Sequence, residues 1–104
     1  MNELKEYLYM VRPTRLGMLT EGPTEQEMSI VGQHFNYLKD LTERGVVVLF
    51  GRTQNNDETA FGIAIFRAPD DDAARELMNN DPAVRNNVMT ATLYPYRIAL
   101  LTKG

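Results

Sequence analysis

Hydrophobic positions in this chain follow two periods, and the switches between them divide it into elements. Residues 6–12, EYLYMVR, are rich in aromatic and branched side chains and predict a first strand. The loop PTRLGMLTEGP over 13–23 is broken by Pro13, Gly17 and Gly22-Pro23. Thr24 stands three residues before Glu27, the spacing of a capping box, and Glu25 and Glu27 suit the positive end of a helix dipole. Met28, Val31, Phe35, Leu38 and Leu41 then recur at helical spacing, and Gly45 supplies the stop. VVVLF at 46–50 predicts a second strand ending at Gly51-Arg52. A polar turn, TQNNDET, leads into a third strand, AFGIAIF, at 60–66. Asp70 is placed to cap a second helix, with Asp71 four residues before Arg75. Asp81-Pro82 has the form of another cap with proline at the first helical position, opening a short turn through Val84. MTATLYPYRIAL at 89–100 predicts a last strand, in which Pro95 marks an edge or a bulge.

The order is therefore β-α-β-β-α-β. Right-handed crossovers turn this order into an α+β, ferredoxin-like fold: a four-stranded antiparallel sheet with two helices on one face. The whole chain, 1–104, reads as one domain. VVVLF and AFGIAIF are nearly continuous apolar runs, which predicts burial on both faces of the sheet. Two helices cover only one face. An identical subunit is the simplest cover for the other, so a homodimer with sheets packed face to face is expected.

Composition narrows the function classes. A net charge of −3 and singly scattered basic residues argue against a nucleic-acid or anionic-membrane partner. No cysteine is present, which excludes disulfides, thiolate nucleophiles and cysteine metal sites. The opening MNELKEYLYM lacks the apolar core of a secretion signal, and no apolar run reaches the length of a membrane span. The expectation is a cytoplasmic enzyme or binding domain for a small molecule, with no cofactor and no metal. Gly17 and Gly22 match no phosphate-cradling pattern.

The candidate chemistry centres on His34, the one histidine. Among Val31, Phe35, Leu38 and Leu41 it fits two roles: a satisfied core side chain, or a general base at a pocket edge. The second role needs a carboxylate on one ring nitrogen to set the tautomer and free the other. Asp81 is one of several candidate acids, and its helix cap already explains the Asp-Pro pair without catalysis. Spacing alone does not bring the two together. Arg52 at a strand end offers a bidentate site for a carboxylate or phenolate, or else an ion pair with Asp57 or Glu58. Tyr7 and Tyr9 on one side of the first strand, like Tyr94 and Tyr96 on the last, suit either a flat ligand or a subunit interface. The acidic run at 70–72 needs no metal beside a helix N-terminus. The 13–23 loop has the glycines of a lid or of a plain connection.

His34 within HFNYLKDLTERG, Gly45 and Gly51 around the second strand, DPAV at 81–84 and the late Pro95 form an ordered set. In these features the chain resembles the YciI-like (YCII-related) family of small ferredoxin-like domains that form dimeric α/β barrels. The resemblance implies a His–Asp pair at a pocket, which falls here on His34 and Asp81. His34 would move the proton and Asp81 would orient it. Many relatives carry proline after the glycine that ends the second strand, whereas Arg52 follows Gly51 here. The family is similar in fold to muconolactone isomerase, which implies a metal-free isomerase or lyase acting on small aromatic-derived acids or phenols. Arg52 and Tyr9 would contact the substrate. The competing expectation is a non-enzymatic dimeric ligand-binding or interaction domain whose His–Asp pair is structural.

Overall fold

The structure, a computed structural model, describes residues 3–103. Strand β1 (Lys5–Pro13) leads through a single helical turn, α1 (Gly17–Thr20), into the long helix α2 (Glu25–Glu43). Strands β2 (Val47–Arg52) and β3 (Gly62–Ala68) follow, then α3 (Asp71–Asn79), the short α4 (Pro82–Arg85) and β4 (Met89–Tyr96). The sheet order is β2-β3-β1-β4 with every pair antiparallel, the ferredoxin-like arrangement that the element order predicts.

Local chemistry sets most of the boundaries. The Thr24 hydroxyl accepts from the Glu27 N–H while the Glu27 carboxylate accepts from the Thr24 N–H, so the capping box is complete. Helix α2 ends in a Schellman motif. The Val46 N–H reaches the Leu41 carbonyl and the Gly45 N–H the Thr42 carbonyl, with Gly45 at φ 80°, where a side chain would be strained. Asn87, at φ 59°, plays the same part after α4, where the Val88 N–H returns to the Ala83 carbonyl.

Tyr7, Tyr9 and Val11 of β1 and Ala64 and Phe66 of β3 point to the helices. They form the core with Leu38 and Leu41 of α2 and Ala74 and Met78 of α3. Phe66 stacks on Tyr7 and meets Tyr9 edge-on, each pair with centroids 5.8 Å apart. Tyr7 and Tyr9 are thus beneath the helices and not at a subunit interface. Their hydroxyls donate to Asp71 and Asp81, each at 2.7 Å. Asp71 takes Tyr7 in place of the expected Arg75, and no ion pair joins Asp71 to Arg75 among the described residues.

Two sequence expectations are corrected. The last strand stops at Tyr96 and not at residue 100, because Tyr96 pairs with Glu6 near the start of β1 and no strand lies beyond it. The backbone then turns to a side chain, with the Ile98 N–H donating to a Glu6 carboxylate oxygen. Pro95, expected at an edge or a bulge, lies on the edge strand β4 in regular register opposite Tyr7. The irregularity falls instead in β2, between Val47 and Leu49, where Val48 is the extra residue. The predicted helical stripe also divides. Leu38 and Leu41 join the core, but Met28 is 60% and Phe35 53% exposed, and Ile30 is buried instead. The cause lies in the site.

Burial on both sheet faces does not hold for the single chain. Leu49, Tyr94 and Tyr96 are exposed, and Leu8, Met10 and Ile63 are half-buried on the face opposite the helices. Ile65 alone among the inner positions of that face is buried.

Candidate active site

Asp81 ends the turn after α3 and caps α4, with its Oδ1 accepting from the Ala83 N–H at 2.9 Å. Pro82 at the first helical position needs no partner for a nitrogen that carries no proton. The capped turn carries the carboxylate inward, where Asp81 is 0% exposed. A buried carboxylate is tolerable only when its lone pairs are filled. Two further donors fill them. Tyr9 donates its hydroxyl to Oδ2 at 2.7 Å, and Nδ1 of His34 lies 2.7 Å from Oδ2 and 2.8 Å from Oδ1. Among the described residues no buried side-chain nitrogen or oxygen lacks a partner.

His34 comes from the middle of α2, 47 residues earlier in the chain. Its side chain is 14% exposed. With Nδ1 facing an acceptor-only carboxylate, the neutral ring carries its proton on Nδ1, and Nε2 is left as the acceptor. No hydrogen bond to Nε2 is found among the described residues. Sequence reasoning placed Tyr9 as a substrate contact; its hydroxyl lies on Asp81. That Tyr7 and Tyr9 share one side of β1 is legible in the alternation, but the partner of the Tyr9 hydroxyl, 72 residues away, is not.

His34 and the ring of Tyr9 line a cavity of about 740 Å³ between the N-terminal half of α2 and the ends of β1, β2 and β3. This size suits a small organic molecule. Met28, Val31 and Phe35 also line it, which explains the divided stripe: the helix uses one apolar flank for the core and the other for the cavity wall. Phe35 meets Phe50 edge-on at 5.5 Å. Gly62 keeps the wall thin, since a Cβ there would lie 3.1 Å from the Gly51 carbonyl oxygen and 3.2 Å from a Val11 methyl. The loop 13–23 passes over one side, with Pro13, Met18, Leu19 and Pro23 in the lining. Arg15 ties this loop to α2 through two hydrogen bonds to Glu27, at 3.0 and 2.6 Å. That contact and the cap hold the Glu27 carboxyl down at about 2.

Arg52 lies at the cavity but is engaged by its own hairpin. Its Nε donates to the Thr53 carbonyl, and its Nη2 to the Asn55 carbonyl and the Asn56 side chain. Only Nη1 remains, so the guanidinium does not present the two-nitrogen fork that bidentate binding needs. It also forms no ion pair with Asp57 or Glu58 among the described residues; Asp57 instead accepts from Asn55 and Thr59. No cluster of three or more His, Cys, Asp or Glu side chains suited to a metal occurs among the described residues.

Three tyrosines are held in the protonated form. The hydrogen bond to Asp71 pushes Tyr7 up to about 12, and burial pushes Tyr37 up to about 12. Burial, then the charge of Asp81, raises Tyr9 further. The folded chain therefore keeps protons that the unfolded chain releases near pH 10. Their contribution to stability is full below pH 10 and lost as pH rises through the folded values. Thermal melts should fall steadily above about pH 10, and Tyr9→Phe should flatten that fall.

The YCII-related domain model matches residues 7–95. The chain belongs to the YCII-related family. No curated protein matches it in sequence. Among solved structures it is similar to 5-chloro-2-hydroxyhydroquinone dehydrochlorinase from Burkholderia phenoliruptrix AC1100, determined in complex with 2,5-dihydroxybenzoquinone. The TM-score is 0.61 at 18% identity, over 88% of this chain and 93% of that one. At that identity the likeness is one of fold. This YCII-related chain also has no helix among its described residues long and apolar enough to cross a membrane.

Proposed function

We propose that this protein is a small-molecule enzyme in which His34 and Asp81 perform general acid–base catalysis of the isomerase or lyase type on a small phenol or aromatic-derived acid. The observation that carries this reading is the imidazole fixed through Nδ1 to a fully buried carboxylate, at the wall of an apolar cavity. Nε2 takes a proton from an acidic C–H or O–H of the substrate. Asp81 stabilises the resulting imidazolium without taking the proton itself. In an isomerisation the proton returns at another atom; in an elimination the electron pair leaves with the departing group. The reaction stated in the name of the dehydrochlorinase, a fold relative with a small-ring ligand, supports the lyase branch.

The open sheet face supports a homodimer as the working form. Leu8, Met10, Leu49, Ile63 and Tyr94 form an apolar surface there that a second copy would cover. Sedimentation at micromolar concentration should give twice the 11.8 kDa chain mass, and a monomer would reject this pairing.

Two measurements test the catalytic reading. The 15N spectrum of the sole histidine should show the Nδ1–H tautomer in the neutral ring, and Asp81→Asn should shift it toward Nε2–H. A panel of hydroxylated and halogenated hydroquinones and small aromatic acids should contain a substrate whose turnover vanishes with His34. An Nε2–H ring in the parent protein would reject the assigned base.

A further inference from the structure

The Tyr9 hydroxyl is a buried titratable group to which the acid–base reaction gives no part. Tyr9 is 1% exposed, and although its ring lines the cavity, its hydroxyl donates to Asp81 Oδ2 at 2.7 Å. A phenol carries a single proton, so a proton committed to a carboxylate is not offered to a ligand. Nor is it released, because burial and the charge of Asp81 both hold it on the oxygen. Tyr9 is thus a standing donor to Asp81.

This donor shares its acceptor with the imidazole. Nδ1 of His34 lies 2.7 Å from the same Oδ2 and 2.8 Å from Oδ1, which also accepts from the Ala83 N–H. The charge of one carboxylate is divided among three donors, and what Tyr9 and Ala83 draw is withheld from the ring. Of the groups packed around them, Tyr37 of α2 gives its hydroxyl to the Leu77 carbonyl, while Arg85 of α4 and Glu76 of α3 bear on Tyr37 with opposite signs. Tyr9 stands on β1, between β3 and β4 in the sheet, with its ring edge-on to Phe66. It therefore ties a carboxylate carried by the short α4 turn to the middle of the sheet, beneath the helix that carries His34. A buried carboxylate beside an imidazolium tends to take the Nδ1 proton, because burial penalises both charges. Donors that favour the charged carboxylate oppose that transfer.

We propose that Tyr9 is a positioning residue of this site: its hydroxyl fixes the Asp81 carboxylate toward His34, keeps it ionised, and sets how strongly it pulls on the Nδ1 proton. The proposal rests on the catalytic reading for its consequence, since the pull on Nδ1 governs how readily Nε2 takes a proton. The probe is the Nδ1–H proton of His34, the sole histidine, observed by NMR in the full chain. Its resonance moves downfield as the bond to the carboxylate strengthens. In Tyr9→Phe it should lie downfield of the parent, because Asp81 has lost a competing donor. Tyr9→3-fluorotyrosine makes the phenol a stronger donor with little change of shape, and there the resonance should move upfield. A hydroxyl that only fills space leaves it in place in the fluorinated protein, which also answers if Tyr9→Phe does not fold. An unmoved resonance in the fluorinated protein, or displacements of the same sign in both variants, would overturn the proposal. With Nδ1–H present in the parent, either of these outcomes rejects the role of Tyr9 alone, and absence of turnover rejects the catalytic reading alone. An Nε2–H ring in the parent rejects both.

Discussion

Asp81→Ala is expected to cost about 3–5 kcal/mol of unfolding free energy, the combined scale of a lost helix cap and of buried donors left without their acceptor. The side chain is fully buried and accepts from three groups, Ala83 N–H, Tyr9 hydroxyl and His34 Nδ1. Alanine forfeits the cap of α4, about 1 kcal/mol, and strands buried donors at about 1–3 kcal/mol each. The void left by the carboxylate adds to this. For a chain of this size the melting temperature should drop by roughly 15–30 °C. Asp81→Asn should be milder. The amide fills the space, the Tyr9 hydroxyl can rotate to accept from it, and the imidazole can change tautomer to do the same. A loss below about 1 kcal/mol in Asp81→Ala, measured by denaturant unfolding, would mean that water replaces the carboxylate and that the node is not structural.

His34→Gln is expected to do the reverse: stability changes by about 1 kcal/mol or less, the scale of one exchanged hydrogen bond, while turnover on any substrate found falls about 10²–10⁴-fold. Glutamine can still donate its amide N–H to Asp81, so the carboxylate keeps a partner. What disappears is the ring nitrogen that would accept and return the proton. The fall should appear in kcat more than in KM, because the interaction is realised in the transition state. The pair of variants separates roles that a single substitution confounds. Asp81→Asn, which keeps shape but turns the Nε2 lone pair into an N–H, should lose activity while remaining folded, as His34→Gln does. If His34→Gln retains full turnover, the histidine is a structural partner of Asp81, and the competing reading of a ligand-binding domain gains the weight.

What the sequence determined by itself was local. The capping box at Thr24 and Glu27, the glycine stop at Gly45 and the caps at Asp70 and Asp81 depend on neighbours a few residues away, and all stand in the structure. From them the order of elements and the ferredoxin-like sheet followed. Where an element ended for lack of a partner, sequence pattern misled: β4 stops at Tyr96 because β1 has run out, although RIAL beyond it is no less apolar. Pattern also could not tell core from cavity. Met28 and Phe35 carry the same apolar signal as Leu38 and Leu41, and only the placement of α2 over the sheet's end divides them. The site itself was a tertiary decision. His34, Asp81 and Tyr9 come from α2, the cap of α4 and β1, joined over 47 and 72 residues. No spacing rule reaches that far, because such contacts are made by the path of the whole chain; family resemblance suggested the His–Asp pair, and folding supplied Tyr9 as its third member. The fate of the arginines was settled in the same way. Arg52 was the visible candidate at a strand end, but the loop that follows it consumed its fork, while Arg15 was drawn to Glu27. Residue types decide which chemistry a chain can do, and the closure of the sheet against its helices decides which copies of those residues remain available to do it.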